Sequence, residues 1–268
     1  MEETGMVSSV FFYGSLMVLL VCNIVVANGE DFPFGYANGT QDPSEWGHLH
    51  EEWKACLGYG HHQSPIQLNY TKQEIQKQFI PLNRAYNMSR ITMINRYHDI
   101  MMRFENPYVG GFVHSGTNFY LRQLHWHKPS EHEINGEKFH VEMHMVHTSH
   151  DHKESAVIAF LYKLGSPDPF LAEVEKYIRN ISGAEGQKID AGMINPNDTI
   201  EQYHGYYRYL GSLTTPPCTE GVVWTVMQQV RSVSMEQVQM LINATPDFKD
   251  NARPIQNIDN RNIKVYQP

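Results

Sequence analysis

From Ile66 onward the chain repeats short runs of apolar, β-branched and aromatic residues: Ile91–Asn95, Ile100–Phe104, Asn118–Trp126, Phe139–His147, Ala156–Leu164 and Val222–Val230. Turn formers separate them, as at Asn106-Pro107, Asn135-Gly136 and Ser166-Pro167, which is the punctuation of strands joined by tight connections. Two stretches carry helical spacing instead. Pro169–Ile181 sets Phe170, Leu171, Val174, Tyr177 and Ile178 along one stripe, and Ser234–Asn243 opens with a serine cap and Glu236. The arm Glu30–Trp53 holds scattered Gly and Asn and reads as irregular chain with a short helix near its end. No repeat, low-complexity tract or linker divides Glu30–Pro268. The pattern predicts a mostly β (α+β) single domain, built on a large twisted, mainly antiparallel central sheet with short peripheral helices.

Two of these strands interrupt their apolar pattern with polar residues on one face. In Gln123-Leu-His-Trp-His127 the alternation sends Gln123, His125 and His127 the same way. In Phe139–His147, His140, Glu142, His144 and Val146 share a face, while Phe139, Val141, Met143 and Met145 take the other. If the strands are antiparallel neighbours, His144 meets the first two imidazoles. Three neutral histidines around an open fourth position is the arrangement of a catalytic zinc. Taken locally, His-x-His followed by Glu131 and a distant His144 equally fits a cupin barrel holding iron or manganese. Gln123 and Glu142 are placed to accept the free ring N–H of His125 and His144. A third segment, Tyr209-Leu-Gly-Ser-Leu-Thr-Thr-Pro-Pro-Cys218, presents Thr214 and Thr215 on a loop stiffened by two prolines.

Composition narrows the setting. Of 268 residues, 41% are hydrophobic and 12% aromatic, enough for one sizeable core. Lys and Arg total 21 against 29 acidic residues, a formal net charge of -8, so the chain lacks the basic surface that nucleic acids require. Val10–Ala27 is almost wholly apolar and ends in small residues, which predicts a secretory signal peptide over residues 1–29, cleaved near Ala27 or Gly29, ahead of a catalytic domain over residues 30–268. An acidic n-region and the length of the run keep an uncleaved anchor open. No later stretch is apolar enough to span a membrane. Cleavage removes Cys22 and leaves Cys56 and Cys218, an even pair read as one disulfide, against the alternative of two unrelated buried thiols. Closing so long a loop is worth at most roughly 5 kcal/mol by chain entropy. Glycosylation sequons at Asn38, Asn69, Asn87, Asn180, Asn197 and Asn243 accord with secretion.

Taken in order, Gln63-Ser-Pro-Ile66, Gln123-Leu-His-Trp-His-Lys-Pro-Ser-Glu-His132, Glu142-Met-His-Met-Val-His147, Gly211-Ser-Leu-Thr-Thr-Pro-Pro-Cys218 and Asn251-Ala-Arg-Pro-Ile-Gln256 resemble an α-class carbonic anhydrase. The resemblance covers roughly Phe34 to Gln256. The compact His127-Lys-Pro-Ser-Glu-His132 link and Cys218 after the prolines look more like its bacterial, plant and algal branch.

The resemblance implies a zinc enzyme that reversibly hydrates carbon dioxide to bicarbonate and a proton by attack of zinc-bound hydroxide, with a side esterase activity. It implies His125, His127 and His144 as ligands to one zinc ion, with Gln123 and Glu142 behind them. Thr214 would accept the hydroxide's hydrogen bond and pass its own proton to Glu131. Val146, Val157, Leu213, Thr215, Val222 and Trp224 would form the substrate pocket, Tyr36 would order water, and His98 falls at the proton-shuttle position. Departures gather near that last residue: Phe34 stands where tryptophan is usual, Arg96 and Tyr97 replace small polar residues, and Met101 replaces a common asparagine. Sulfonamides and small anions are the implied inhibitors, and the implied location is extracellular. A non-catalytic relative serving as a binding or mineral-matrix module is the rival of another class; such proteins usually lose a ligand histidine, and all three stand here.

Overall fold

A computed structural model describes residues 34–36, 41–58, 60–69, 74–75, 80–199 and 205–267. The leader, Cys22, most of the Glu30–Phe34 stretch and the Asn38 sequon lie outside the described residues.

The chain enters through helix α1 (Trp46–Leu49) and a 3-10 turn, Glu51–Leu57, the short helix expected at the end of the arm. Strands follow as β1 (Gln67–Leu68), β2 (Glu74–Ile75), β3 (Arg84–Tyr86), β4 (Ser89–Asn95), β5 (Ile100–Phe104), β6 (Gly110–His114), β7 (Thr117–His127), β8 (Glu133–Ile134), β9 (Glu137–Lys138), β10 (Val141–Thr148) and β11 (Ser155–Leu164). Helix α2 (Pro169–Asn180) leads to β12 (Lys188–Ile194), β13 (Tyr206–Ser212) and β14 (Glu220–Val233). Helix α3 (Met235–Ala244) and β15 (Lys264–Tyr266) close the chain.

Among the described residues twelve strands make one sheet, whose main path runs β12-β4-β5-β7-β10-β11-β14-β13-β15-β2. It is mixed: β11 with β14 and β15 with β2 pair in parallel, and the other neighbours are antiparallel. The expected strands all form, within a few residues of their predicted ends. Sequence reading passed over β6, β12 and β13, where glycines or polar residues break the apolar runs, and the two- and three-residue strands β1, β2, β3, β8, β9 and β15. Both predicted helices form, α2 capped by Asp168, whose side chain accepts from Leu171 N–H, and α3 by a Ser234/Gln237 capping box. Gln237 also bonds the backbone of Asp168 in both directions, so one side chain ties the two helix starts together.

The sheet carries a core on each face. One gathers Met93, Met102, Leu121, Leu124, Trp126, Met143, Met145 and the apolar stripes of α2 and α3. The other gathers Ile66, Leu68, Val157, Leu161, Tyr209, Val222, Trp224 and Val265. Alternation alone would put Leu121 with the histidines, but β7 carries a bulge. Val146 pairs with Gln123 while His147 pairs with Leu121, so Arg122 has no partner on β10. The extra residue reverses the phase. Phe119 and Leu121 join the first core together with Leu124 and Trp126, and Gln123, His125 and His127 take the opposite face.

His147 sits in that first core as a satisfied neutral imidazole. Its Nδ1–H donates to Met145 O at 2.9 Å, so Nε2 is the acceptor and takes the Tyr86 hydroxyl at 2.9 Å. Burial depresses the ring's pKa to about 3, against about 6.5 when unfolded. The folded state therefore binds fewer protons than the unfolded one, and stability is lost as pH falls from about 6.5 to about 3. Urea midpoints measured across that window should fall with acid, and His147→Phe should flatten the slope. Tyr86→Phe should destabilise at neutral pH by about 1–3 kcal/mol, because Nε2 is left buried without a donor.

Candidate metal centre

Antiparallel pairing sets His144 on β10 directly opposite His125 on β7, and Glu142 opposite His127. The three imidazoles converge, with ring centroids 4.7–5.2 Å apart and all three side chains buried. Among the described residues they form one of two groups with donor atoms close enough to share an ion. The second, His132, Glu142 and His144, has its facing atoms joined by hydrogen bonds.

Hydrogen bonds fix which nitrogen of each ring is bare. His125 Nδ1 meets Gln123 Oε1 at 2.8 Å, and His127 Nδ1 meets the Asn251 carbonyl at 2.8 Å. Both oxygens only accept, so each Nδ1 carries the proton and each Nε2 presents a lone pair. Those two Nε2 atoms lie 3.1 Å apart. Burial holds His125 well below an ordinary imidazole, so a second ring proton does not relieve the clash. His144 uses its other nitrogen: Nε2 meets Glu142 Oε1 at 2.7 Å, leaving Nδ1 bare. Burial would raise the Glu142 carboxyl, but His132 and His144 outweigh it and hold the group well below its usual range. Glu142 is thus the acceptor at both oxygens, with the Glu131 and His132 N–H groups on Oε2 at 2.8 and 2.7 Å.

The chain of polarities continues outward. His132 Nδ1–H donates to Glu142 at 2.7 Å, so its Nε2 accepts from the Tyr209 hydroxyl at 2.7 Å. Tyr209 then accepts from Ser64 Oγ at 2.8 Å, and Ser64 Oγ accepts from Ser212 N–H at 3.0 Å. Glu131 is fully buried. Its Oε1 accepts from Arg253 N–H at 2.9 Å, while Oε2 has no hydrogen-bond partner and faces His127 Nε2 at 3.6 Å. The bond from Thr214 to Glu131 implied by the resemblance is therefore not made in this structure.

Thr214 lies buried on the Ser212–Cys218 loop, which is closed by Leu213 N–H to Thr219 O and Cys218 N–H to Thr215 O, both 2.9 Å. Cys218 forms the expected disulfide with Cys56. Val157, Val222 and Trp224 are buried together, with Val146 and Leu213 packed against them, while Thr215 is half-buried. Tyr36 is buried beside Trp46 at 5.3 Å, its hydroxyl without a partner among the described residues and its pKa raised well above 10 by burial and by Glu131. His140 falls outside: it precedes β10 and is exposed.

His98 is half-buried on the turn after β4 and packs on Phe34, ring centroids 4.5 Å apart. Burial lowers its pKa to about 4, and the Asp99 carboxylate only partly opposes this.

A family model of the eukaryotic-type carbonic anhydrase matches residues 41–267. The chain belongs to this family. Among relatives, Alpha carbonic anhydrase 8 of Arabidopsis thaliana is 43% identical over 242 residues, covering 89% of this chain and 62% of that protein. A crystal structure of dioscorin complexed with ascorbate aligns with TM-score 0.83 and 38% identity, over 88% of this chain and 98% of that one. The α-carbonic anhydrase of Thermovibrio ammonificans, in complex with the inhibitor sulfanilamide, aligns with TM-score 0.78 and 33% identity, over 88% and 100% of the two chains.

Within this carbonic anhydrase frame, sequence reasoning missed four supports: His132, Tyr209, Asn251 and Arg253. The Arg253 guanidinium is buried and reaches Gln63 Oε1, Ser64 O and Cys56 O at 2.8–3.1 Å, so it joins the disulfide segment to the segment beside Glu131. The only signal was the order of two motifs, since the partners lie almost two hundred residues apart. By NMR the His98 ring should titrate near 4. Phe34→Ala, which opens it to water, should raise that value toward 6.5.

Proposed function

We propose that this chain is a zinc-dependent carbonic anhydrase that reversibly converts carbon dioxide and water to bicarbonate and a proton. The observation that carries the reading is the pair of bare, buried Nε2 lone pairs of His125 and His127, 3.1 Å apart and aimed at each other by fixed acceptors. A cation held by these two nitrogens would relieve that repulsion. The His144 Nδ1 supplies the third neutral nitrogen, a donor set suited to zinc in a catalytic site. Bound there, zinc supplies Lewis acidity that makes hydroxide available near neutrality, at a water pKa of about 7 in carbonic anhydrases as a class.

The chain's own groups do the rest. Gln123, Asn251 O and Glu142 hold the three rings in the tautomers that present lone pairs. Glu131 Oε2, buried and without a bond of its own, would accept a hydrogen bond from the Thr214 hydroxyl, which would leave the Thr214 oxygen as an acceptor that aims the nucleophile's lone pair at substrate. The Thr214 N–H polarises the carbon dioxide oxygen. Val146, Val157, Leu213, Val222 and Trp224 offer an apolar wall that receives carbon dioxide without hydrogen-bonding it, with Thr215 at the pocket's polar side. Tyr36 and His98 border the route by which the proton leaves. A ring with a pKa of about 4 takes up a proton poorly at pH 7, so proton release rather than hydration sets the rate in weak buffer. Sulfonamides and anions compete at the same place, and a side esterase activity follows from the same nucleophile.

We also propose that residues 1–29 are a cleaved leader and that residues 30–268 act outside the cell. The Cys56–Cys218 disulfide supports this.

Purified protein with one zinc per chain should hydrate carbon dioxide, and His144→Ala should lose both metal and activity. Wild-type activity no greater than that of the variant would refute the reading. Glu142→Gln and Tyr209→Phe should weaken zinc retention about 10–100-fold in a chelator competition while the fold persists. Added imidazole buffer should raise the hydration rate, and His98→Ala should lower it by less than about tenfold.

A further inference from the structure

Four of the six sequons lie wholly within the described residues: those at Asn87, Asn180, Asn197 and Asn243. The structure separates them. Asn87 is exposed on the turn between β3 and β4, beside exposed Met88, and only its backbone N–H is engaged, with Val109 O. Asn180 is the exposed last residue of α2. Asn243 is exposed near the end of α3, where Oδ1 takes a bond from Gln239 and Nδ2 donates to none of the described residues.

Asn197 differs in every respect. Its Oδ1 accepts from Tyr86 N–H at 3.0 Å, and its Nδ2 donates to Tyr86 O and, at 3.1 Å, to Asn195 Oδ1. The side chain serves Tyr86 as a neighbouring strand would, satisfying both backbone groups of one residue. Tyr86 in turn holds His147 in the core. Glycosyl transfer forms a bond from Nδ2 to the anomeric carbon of the oligosaccharide, breaks that carbon's bond to a lipid-linked diphosphate, and releases one Nδ2 proton. At Asn87, Asn180 and Asn243 such a proton is available to solvent. At Asn197 both Nδ2 hydrogens are already committed, and a sugar there removes one of them and forces the amide out of its bridge.

We propose that Asn87, Asn180 and Asn243 are N-glycosylation sites and that Asn197 is a structural asparagine that the folded protein keeps unmodified. The assignment rests on the secretory reading above. It also has a spatial consequence. Ser182 Oγ donates to Asn243 O at 2.7 Å, so the ends of α2 and α3 meet. Asn95 Nδ2 bonds Ile181 O and Ala244 O at 3.1 Å, directly before the turn that carries His98. Two of the three glycans therefore stand beside that turn.

The test is the full chain secreted from insect cells, alongside a form whose residues 1–29 are replaced by an established leader. Secreted protein is treated with peptide N-glycosidase in heavy-oxygen water, and its peptides are read by mass spectrometry. Labelled aspartate is expected at positions 87, 180 and 243, with unlabelled asparagine at 197. Label at Asn197, or its absence at any of the other three, overturns the assignment at that position. Glycans found only with the substituted leader count against the secretory reading and leave the assignment standing. In unglycosylated bacterial protein, Asn197→Gln should lower Tm by about 4 °C or more, while the same change at Asn87, Asn180 or Asn243 should stay within about 2 °C. Equal shifts at all four would remove the structural role given to Asn197.

Discussion

Buried lone pairs have to be aimed, because a ring held this far inside the protein is out of reach of bulk solvent and its neighbours decide which nitrogen is bare. This constraint orders the centre of the molecule. Three rings on β7 and β10 are each fixed from behind by an oxygen that can only accept: a side-chain amide, a backbone carbonyl and an ionised carboxylate. Two of the three acceptors are held in turn. Glu142 takes four hydrogen bonds, and the Asn251 side chain bonds Lys128 N–H, His98 O and Trp126 O, so the carbonyl behind His127 cannot drift. The sheet supplies the spacing, and the residues behind it supply the direction.

The molecule also keeps an ionised group inside without a direct counter-ion contact. Arg253 is almost fully buried, and its guanidinium meets carbonyl and amide oxygens rather than a carboxylate. Burial lowers its pKa to about 10, which leaves it charged at neutral pH, and the nearby Glu131 charge is the main opposing influence. A positive charge shared among three carbonyl-type oxygens gains several charge-assisted hydrogen bonds at once. It fastens the segment between α3 and β15, the Gln63-Ser64 segment and the half-cystine at 56 into one rigid support for the far side of the site.

Much of this was legible in the sequence, and the limits have physical reasons. Alternation within β7 and β10 brought His125, His127, His144, Gln123 and Glu142 to one face, because a two-residue period is local and needs no knowledge of neighbours. The longer strands that were missed, β6, β12 and β13, contain Gly110, Gly111, Gly192 or Gly211, and each is fixed by its pairing with another strand rather than by an apolar run of its own. The phase reversal at Arg122 is equally invisible, since a bulge exists only relative to a second strand. Ordered motifs named the family, yet they said nothing about the polarity of the Glu142-His132-Tyr209-Ser64 chain. That polarity depends on which heavy atoms meet. Nor could a motif report that Phe34 lies over His98 and dries it.

The unpaired Arg122 has a further consequence for how this strand tolerates change. It divides β7 into two frames: Thr117–Leu121 keeps the register of the hairpin with β6 and meets β10 at Tyr120 and Leu121, and Gln123–His127 is counted from the pairing with His144. An insertion or deletion ahead of the bulge can be absorbed there as a shift in which residue goes unpaired. The hairpin end is therefore the part of β7 better able to absorb a change of length, while the five residues beyond Arg122 are locked as a unit. The bulge acts as an expansion joint between the part of the strand that may drift and the part that must not.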